Sequence, residues 1–225
     1  MQKSMIRLLS FADLISITNA ILGFLSIVFL LSNVIDNPGL RFRISFSFIL
    51  LALLADGLDG IVARRFGKSN IGEYLEAMAD MTSLTIAPAV FIYVIYSDLI
   101  ASFIYREVYL LFALVLFLSF GIIRLASFHI MKEDRYFIGL PASASTVLLL
   151  ILAYFRIDFI FILPTVVIIG AAMVSNIRFP KTTLKINTVA SILIFLTLVF
   201  DKSYYGFAPI LLFLAILTYA ICKVK

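Results

Sequence analysis

Asp56, Asp59, Glu76 and Asp80 lie in the stretch DGLDGIVARRFGKSNIGEYLEAMAD, with Arg64 among them, and apolar segments long enough to enter a bilayer flank it on both sides. An ionised side chain inside a membrane span is expensive and marks an ion or substrate site by default. Carboxylate oxygens are the hard ligands that Mg²⁺, Mn²⁺ or Ca²⁺ take. A guanidinium fork suits phosphate oxygens. The chemistry these residue types can do together is to gather a divalent cation and a phosphorylated ligand at one place in the membrane.

Helical spacing decides whether they can meet. Asp56, Asp59, Gly60, Ala63 and Arg64 fall at i, i+3, i+4, i+7 and i+8, which puts them on one helical face. Gly72, Glu76 and Asp80 follow at steps of four and form a second stripe. Two antiparallel helices joined by a short loop can turn these stripes toward each other. The small residues Gly60, Ala63 and Gly72 permit either close helix packing or room for a flat ligand.

The rest of the chain supplies the membrane. Its 225 residues are 63% hydrophobic and 14% charged, and the mean hydropathy is +1.14, whereas a water-soluble domain is about 45–50% apolar. A span needs roughly 20 apolar residues. The pattern predicts about eight transmembrane helices near 14–33, 43–63, 74–97, 106–130, 140–155, 157–176, 187–200 and 206–222, forming one all-α domain over residues 1–225. No cleavable signal peptide is expected, because the first apolar run continues to span length. Its lone cysteine, Cys222, excludes an internal disulfide and a cysteine metal cage.

Eight spans put both termini and the even loops on one side, with Lys3, Arg7, Arg64, Arg65, Lys68, Lys132, Arg135, Arg178, Lys181, Lys185, Lys223 and Lys225. Arg41, Arg43, Arg106, Arg156 and Lys202 fall on the other. The positive-inside rule makes the first side cytoplasmic. Asp56 is then about 12 Å deeper than Arg64, at about 1.5 Å per residue, so the acids line an intramembrane, cytoplasm-facing metal site. The net charge of +5 is scattered over short loops without interleaved aromatics, which points to anionic membrane lipid rather than nucleic acid.

The acid stretch resembles the signature of the CDP-alcohol phosphotransferases, D-x2-D-G-x2-A-R-x7,8-G-x3-D-x3-D. Asp56, Asp59, Gly60, Ala63, Arg64, Gly72 and Asp80 match it, and Glu76 stands where the family has aspartate. The resemblance implies a membrane enzyme that moves a phosphatidyl-type group from a CDP-linked lipid to an alcohol and releases CMP. By the same resemblance Asp56, Asp59, Glu76 and Asp80 would hold Mg²⁺ or Mn²⁺, and Asp80 would be the base. Gly60, Ala63, Arg64 and Gly72 would bind the CDP end, joined by Asn19 of TNAILG unless that side chain makes a helix–helix hydrogen bond instead, and the enzyme would be a homodimer in the cell membrane.

GIIRLASFHI, YFIGLPASA and RFPK resemble segments of the family's phosphatidylserine synthase branch, with Ser127 where that branch has a second arginine. The acceptor this implies is serine, and Arg124 at the cytoplasmic end of the fourth span is placed to meet its carboxylate. His129 reads as a bystander near the interface. Two other readings compete: the same reaction with glycerol phosphate or inositol phosphate, which would call for more basic side chains, and a cation transporter. Transport would put the acids near the bilayer midplane among repeated broken helices, a pattern this chain lacks.

Overall fold

The computed structural model describes residues 5–67, 69–101, 103–128, 130–131, 136–180, 184–200 and 210–214. After a short 3₁₀ turn at Met5–Leu8, α1 (Phe11–Leu31) opens on a reciprocal cap. Ser10 N donates to Asp13 Oδ2 at 2.6 Å and Asp13 N donates to Ser10 Oγ at 3.4 Å, which satisfies two of the orphan amides of the first turn. Asn37 caps α2 (Pro38–Phe66), whose first residue is a proline that has no amide to leave unpaired. It stops at Gly67, where φ is 88°, a value glycine adopts without a Cβ penalty.

α3 (Gly72–Asp80) runs on through a π-helical stretch, Met81–Ile86, into α4 (Ala87–Ile95). The widened turns lie just before Pro88. Proline has no amide to offer the carbonyl four residues back, which is that of Leu84. Thr146 Oγ1 reaches across and donates to Leu84 O at 2.7 Å. The π-turns directly beyond Asp80 thus lead into the proline.

The short α5 (Ser97–Ile100) leads to α6 (Ile104–Ser127), whose buried stripe is Leu110, Ala113, Leu114, Phe117, Gly121 and Arg124. The strand β1 (Tyr136–Ile138), α7 (Ala142–Phe155), α8 (Phe159–Met173), β2 (Arg178–Pro180) and α9 (Leu184–Phe200) follow, and residues 210–214 are again helical. Helix α1 packs along α2 and crosses α3, while α6 packs on α8, α4 on α7 and α2 on α9. Leu50, Ile92, Leu110, Phe117, Leu149 and Ile162 fill the middle of this bundle. Its outside is also apolar, with Phe24, Val28, Phe112, Val115 and Ile168 exposed, as expected of helices solvated by lipid.

Among the described residues four helices are long and apolar enough to cross a membrane: Phe11–Leu31, Pro38–Ala63, Gly72–Ile95 and Ile104–Ser127. They coincide with the first four expected spans. α7, α8 and α9 are apolar but shorter, with 14, 15 and 17 residues. Most of the eighth expected span lies outside the described residues. The fold is mostly helical, as expected, but it also has a small antiparallel ribbon that periodicity does not reveal. In it Tyr136 pairs with Pro180, Phe137 with Phe179 and Ile138 with Arg178.

Candidate active site

Part of each acid stripe meets at one place, and part does not. Asp56 and Gly60 from α2, and Glu76 and Asp80 from α3, line one cavity of about 220 Å³. Arg124 and Leu125 of α6 close it from the side, together with Phe128, Phe137, Pro141, Ser143 and Asn187. A second, more apolar cavity of about 250 Å³ adjoins it between α2, α7 and α9, and the two share Asp56, Gly57, Ser143 and Asn187. The polar chamber and the apolar groove therefore share a wall at Asp56.

The acids are not equivalent. Asp56 of α2 and Asp80 of α3 line the same cavity, and two carboxyl groups that share one site need a proton or a cation between them. Asp80 Oδ1 accepts from Asn19 Nδ2 at 3.0 Å. Asp59, 4% exposed, turns away from the cavity and accepts from Ser16 Oγ at 2.9 Å through Oδ2. Among the described residues no three acidic, histidine or cysteine side chains stand close enough to hold one ion as they lie. The donor chemistry nevertheless suits a hard cation, because the nearest groups are carboxylate oxygens and Asn19 Oδ1, a buried acceptor without a partner among the described residues.

Arg124 is 8% exposed and still opens on the cavity. Its Nε donates to Leu140 O at 3.3 Å and its guanidinium carbon lies 5.3 Å from the centre of the Phe128 ring. Both partners are uncharged. Phe128 in turn stacks on Phe137 with ring centres 6.1 Å apart, and Phe137 is held in the ribbon opposite Phe179. Gly139, at φ 76°, allows the next turn to lie against α8, since a Cβ there would collide with the Met173 carbonyl. Gly139 N donates to Ile177 O at 2.8 Å and Leu140 N to Ala172 O at 2.9 Å. The three segments containing Arg124, FIGLP and RFP thus converge on one wall.

Of the residues singled out in the sequence, Asp56, Gly60, Glu76, Asp80 and Arg124 meet at the cavity. Asp59 and Asn19 are buried beside it, on the α1 side. Ala63 and Gly72 are buried but are not part of the lining. Arg64 lies on α2 with its side chain outside the described set, and His129 also lies outside it. Sequence reasoning missed Ser16, Phe128, Phe137, Ser143 and Asn187. Ser16 alone had a readable signal, being one turn from Asn19 on a helix expected to span the bilayer.

The sequence profile of the family described as CDP-alcohol phosphatidyltransferase matches residues 9–221. The chain belongs to that family, and with it to the transferases that act on CDP-linked alcohols. It is 31% identical over 181 residues to the CDP-diacylglycerol–serine O-phosphatidyltransferase of Methanocaldococcus jannaschii, covering 80% of this chain and 78% of that one. The enzyme of the same name from Helicobacter pylori is 30% identical over 207 residues, 85% of this chain and 82% of its own. The archaetidylserine synthase of Methanothermobacter thermautotrophicus is 29% identical over 187 residues, covering 80% and 73%.

Proposed function

We propose that this chain transfers a phosphatidyl or archaetidyl group from a CDP-linked lipid to the hydroxyl of serine and releases CMP. The observation that carries the choice of acceptor is Arg124: a buried cation whose partners among the described residues are uncharged, opening on the same cavity as Asp56, Glu76 and Asp80. A desolvated guanidinium without a counter-charge is costly, and a carboxylate on the acceptor would supply the charge. The names of the relatives agree with this reading.

Asp56, Asp59, Glu76 and Asp80 would hold the divalent cation, Mg²⁺ or Mn²⁺, with Glu76 reaching by its longer arm. Such a cation would neutralise the diphosphate and assist departure of CMP. Gly60 would leave room for the nucleotide, Ala63 and Gly72 would let the helices approach closely beside it, and Arg64 would approach its phosphates. Asp80 would take the proton from the serine hydroxyl as that oxygen attacks phosphorus, while Arg124 turns the hydroxyl toward it by fixing the carboxylate. The apolar cavity adjoining Asp56 is suited to the lipid chains of the donor.

The chain would further form a single domain of eight spans, with both termini and the acid cavity toward the cytoplasm, and would pair as a homodimer in the cell membrane. The experiment that tests the acceptor is Arg124→Ala. Losing a charge-assisted hydrogen bond of about 1.5–3 kcal/mol should raise the serine KM roughly ten- to a hundredfold with the CDP-lipid KM little changed. Equal losses for both substrates would remove Arg124 from acceptor binding.

A further inference from the structure

Two side chains on one face of α1 make hydrogen bonds to the acids, although α1 itself brings no acid to the cavity. Ser16 Oγ donates to Asp59 Oδ2 at 2.9 Å and Asn19 Nδ2 donates to Asp80 Oδ1 at 3.0 Å. The two lie three residues apart, one above the other, and both are buried. Each reaches a different helix, Asp59 on α2 and Asp80 on α3. One turn further along the same face, a Cβ on Gly23 would come within 2.5 Å of Ser83 Cα. That close approach is what allows side chains as short as serine and asparagine to reach the acids.

The amide of Asn19 adds a second, independent observation. Its Nδ2 faces Asp80, and the flipped amide would set two oxygens against each other, so this orientation is the attractive one. Oδ1 is then left buried without a partner among the described residues. An unsatisfied buried acceptor is a liability that an apolar side chain of the same shape would not carry. For helix packing alone, leucine would serve better than asparagine.

We propose that Ser16 and Asn19 are positioning residues, through which α1 sets the orientation of Asp59 and Asp80 and hence the spacing of the acids. The proposal rests on the reading of these acids as the cation site and of Asp80 as the base. Asn19 would act through Asp80 and so chiefly on turnover. Ser16 would act through Asp59 and so chiefly on affinity for the cation.

The test uses the full-length chain in detergent. Mn²⁺ binding is read from the electron paramagnetic resonance signal of the free ion without substrate, kcat and KM from CMP release, and folding from Tm. Ser16→Ala should weaken Mn²⁺ binding about tenfold, and Ser16→Thr, which keeps the hydroxyl, should restore it. Asn19→Ala and the similarly sized Asn19→Leu should lower kcat about ten- to a hundredfold, with the CDP-lipid KM within about twofold. If Ala should prevent folding, the Leu variant carries the same comparison. Parental Mn²⁺ affinity in Ser16→Ala together with parental kcat in Asn19→Leu overturns the proposal, as does equal loss of affinity in Ser16→Ala and Ser16→Thr. Asp80→Asn in the same series keeps the two levels apart: an active Asp80→Asn overturns the site reading itself. An inactive Asp80→Asn beside unaltered α1 variants overturns only the role of α1.

Discussion

Glu76 is where this chain departs from the family signature, and its place on the cavity wall beside Asp80 gives that departure a testable meaning. Glutamate keeps the charge and the oxygens while lengthening the arm by a methylene. If it holds the cation, Glu76→Gln should nearly abolish transfer and Glu76→Asp should retain part of it with weaker cation affinity. Metal titration of the three proteins checks this, and wild-type titration of Glu76→Gln would remove Glu76 from the ligand set. Asp80→Asn should lower kcat by about two to four orders of magnitude if Asp80 is the base, measured as CMP release at saturating serine. The acids and Arg124 were legible in the sequence because a charge inside an apolar span has few structural uses. Phe128 and Phe137 were not, because one aromatic among many on apolar segments looks like ordinary packing until the ribbon brings the two rings together.

At the scale of elements, the first four long helices were readable from runs of apolar residues. Neither the π-turns nor the ribbon was. The π-turns depend on Thr146, which comes from another helix to meet Leu84 O, and the ribbon depends on pairing three residues of β1 with three of β2 from far along the chain. Gly139 joins that ribbon to α8 and so to the Arg124 wall. Gly139→Ala adds a Cβ at positive φ directly against the Met173 carbonyl, which should cost about 1–3 kcal/mol. The expected outcome is a lower Tm together with a serine KM raised more than that of the CDP-lipid. An unchanged Tm would mean that the turn relaxes without strain.

For the whole molecule, composition fixed the membrane class and the spacing of the acids fixed where the helices must turn toward one another, whereas the height of the short helices α7, α8 and α9 in a bilayer depends on packing that periodicity does not contain. The account joins a polar chamber of acids and Arg124 to an apolar groove at Asp56, an arrangement suited to bringing a water-soluble alcohol and a lipid to one phosphorus. Its central claim is tested most directly by CMP release from the purified chain in liposomes containing a CDP-lipid, with serine, glycerol 3-phosphate and inositol phosphate offered in parallel, each with Mn²⁺ and with chelator. Release is expected with serine and Mn²⁺, at the background level with the other acceptors, and lost on chelation. Equal release with a phosphorylated acceptor, or undiminished release in chelator, would contradict it.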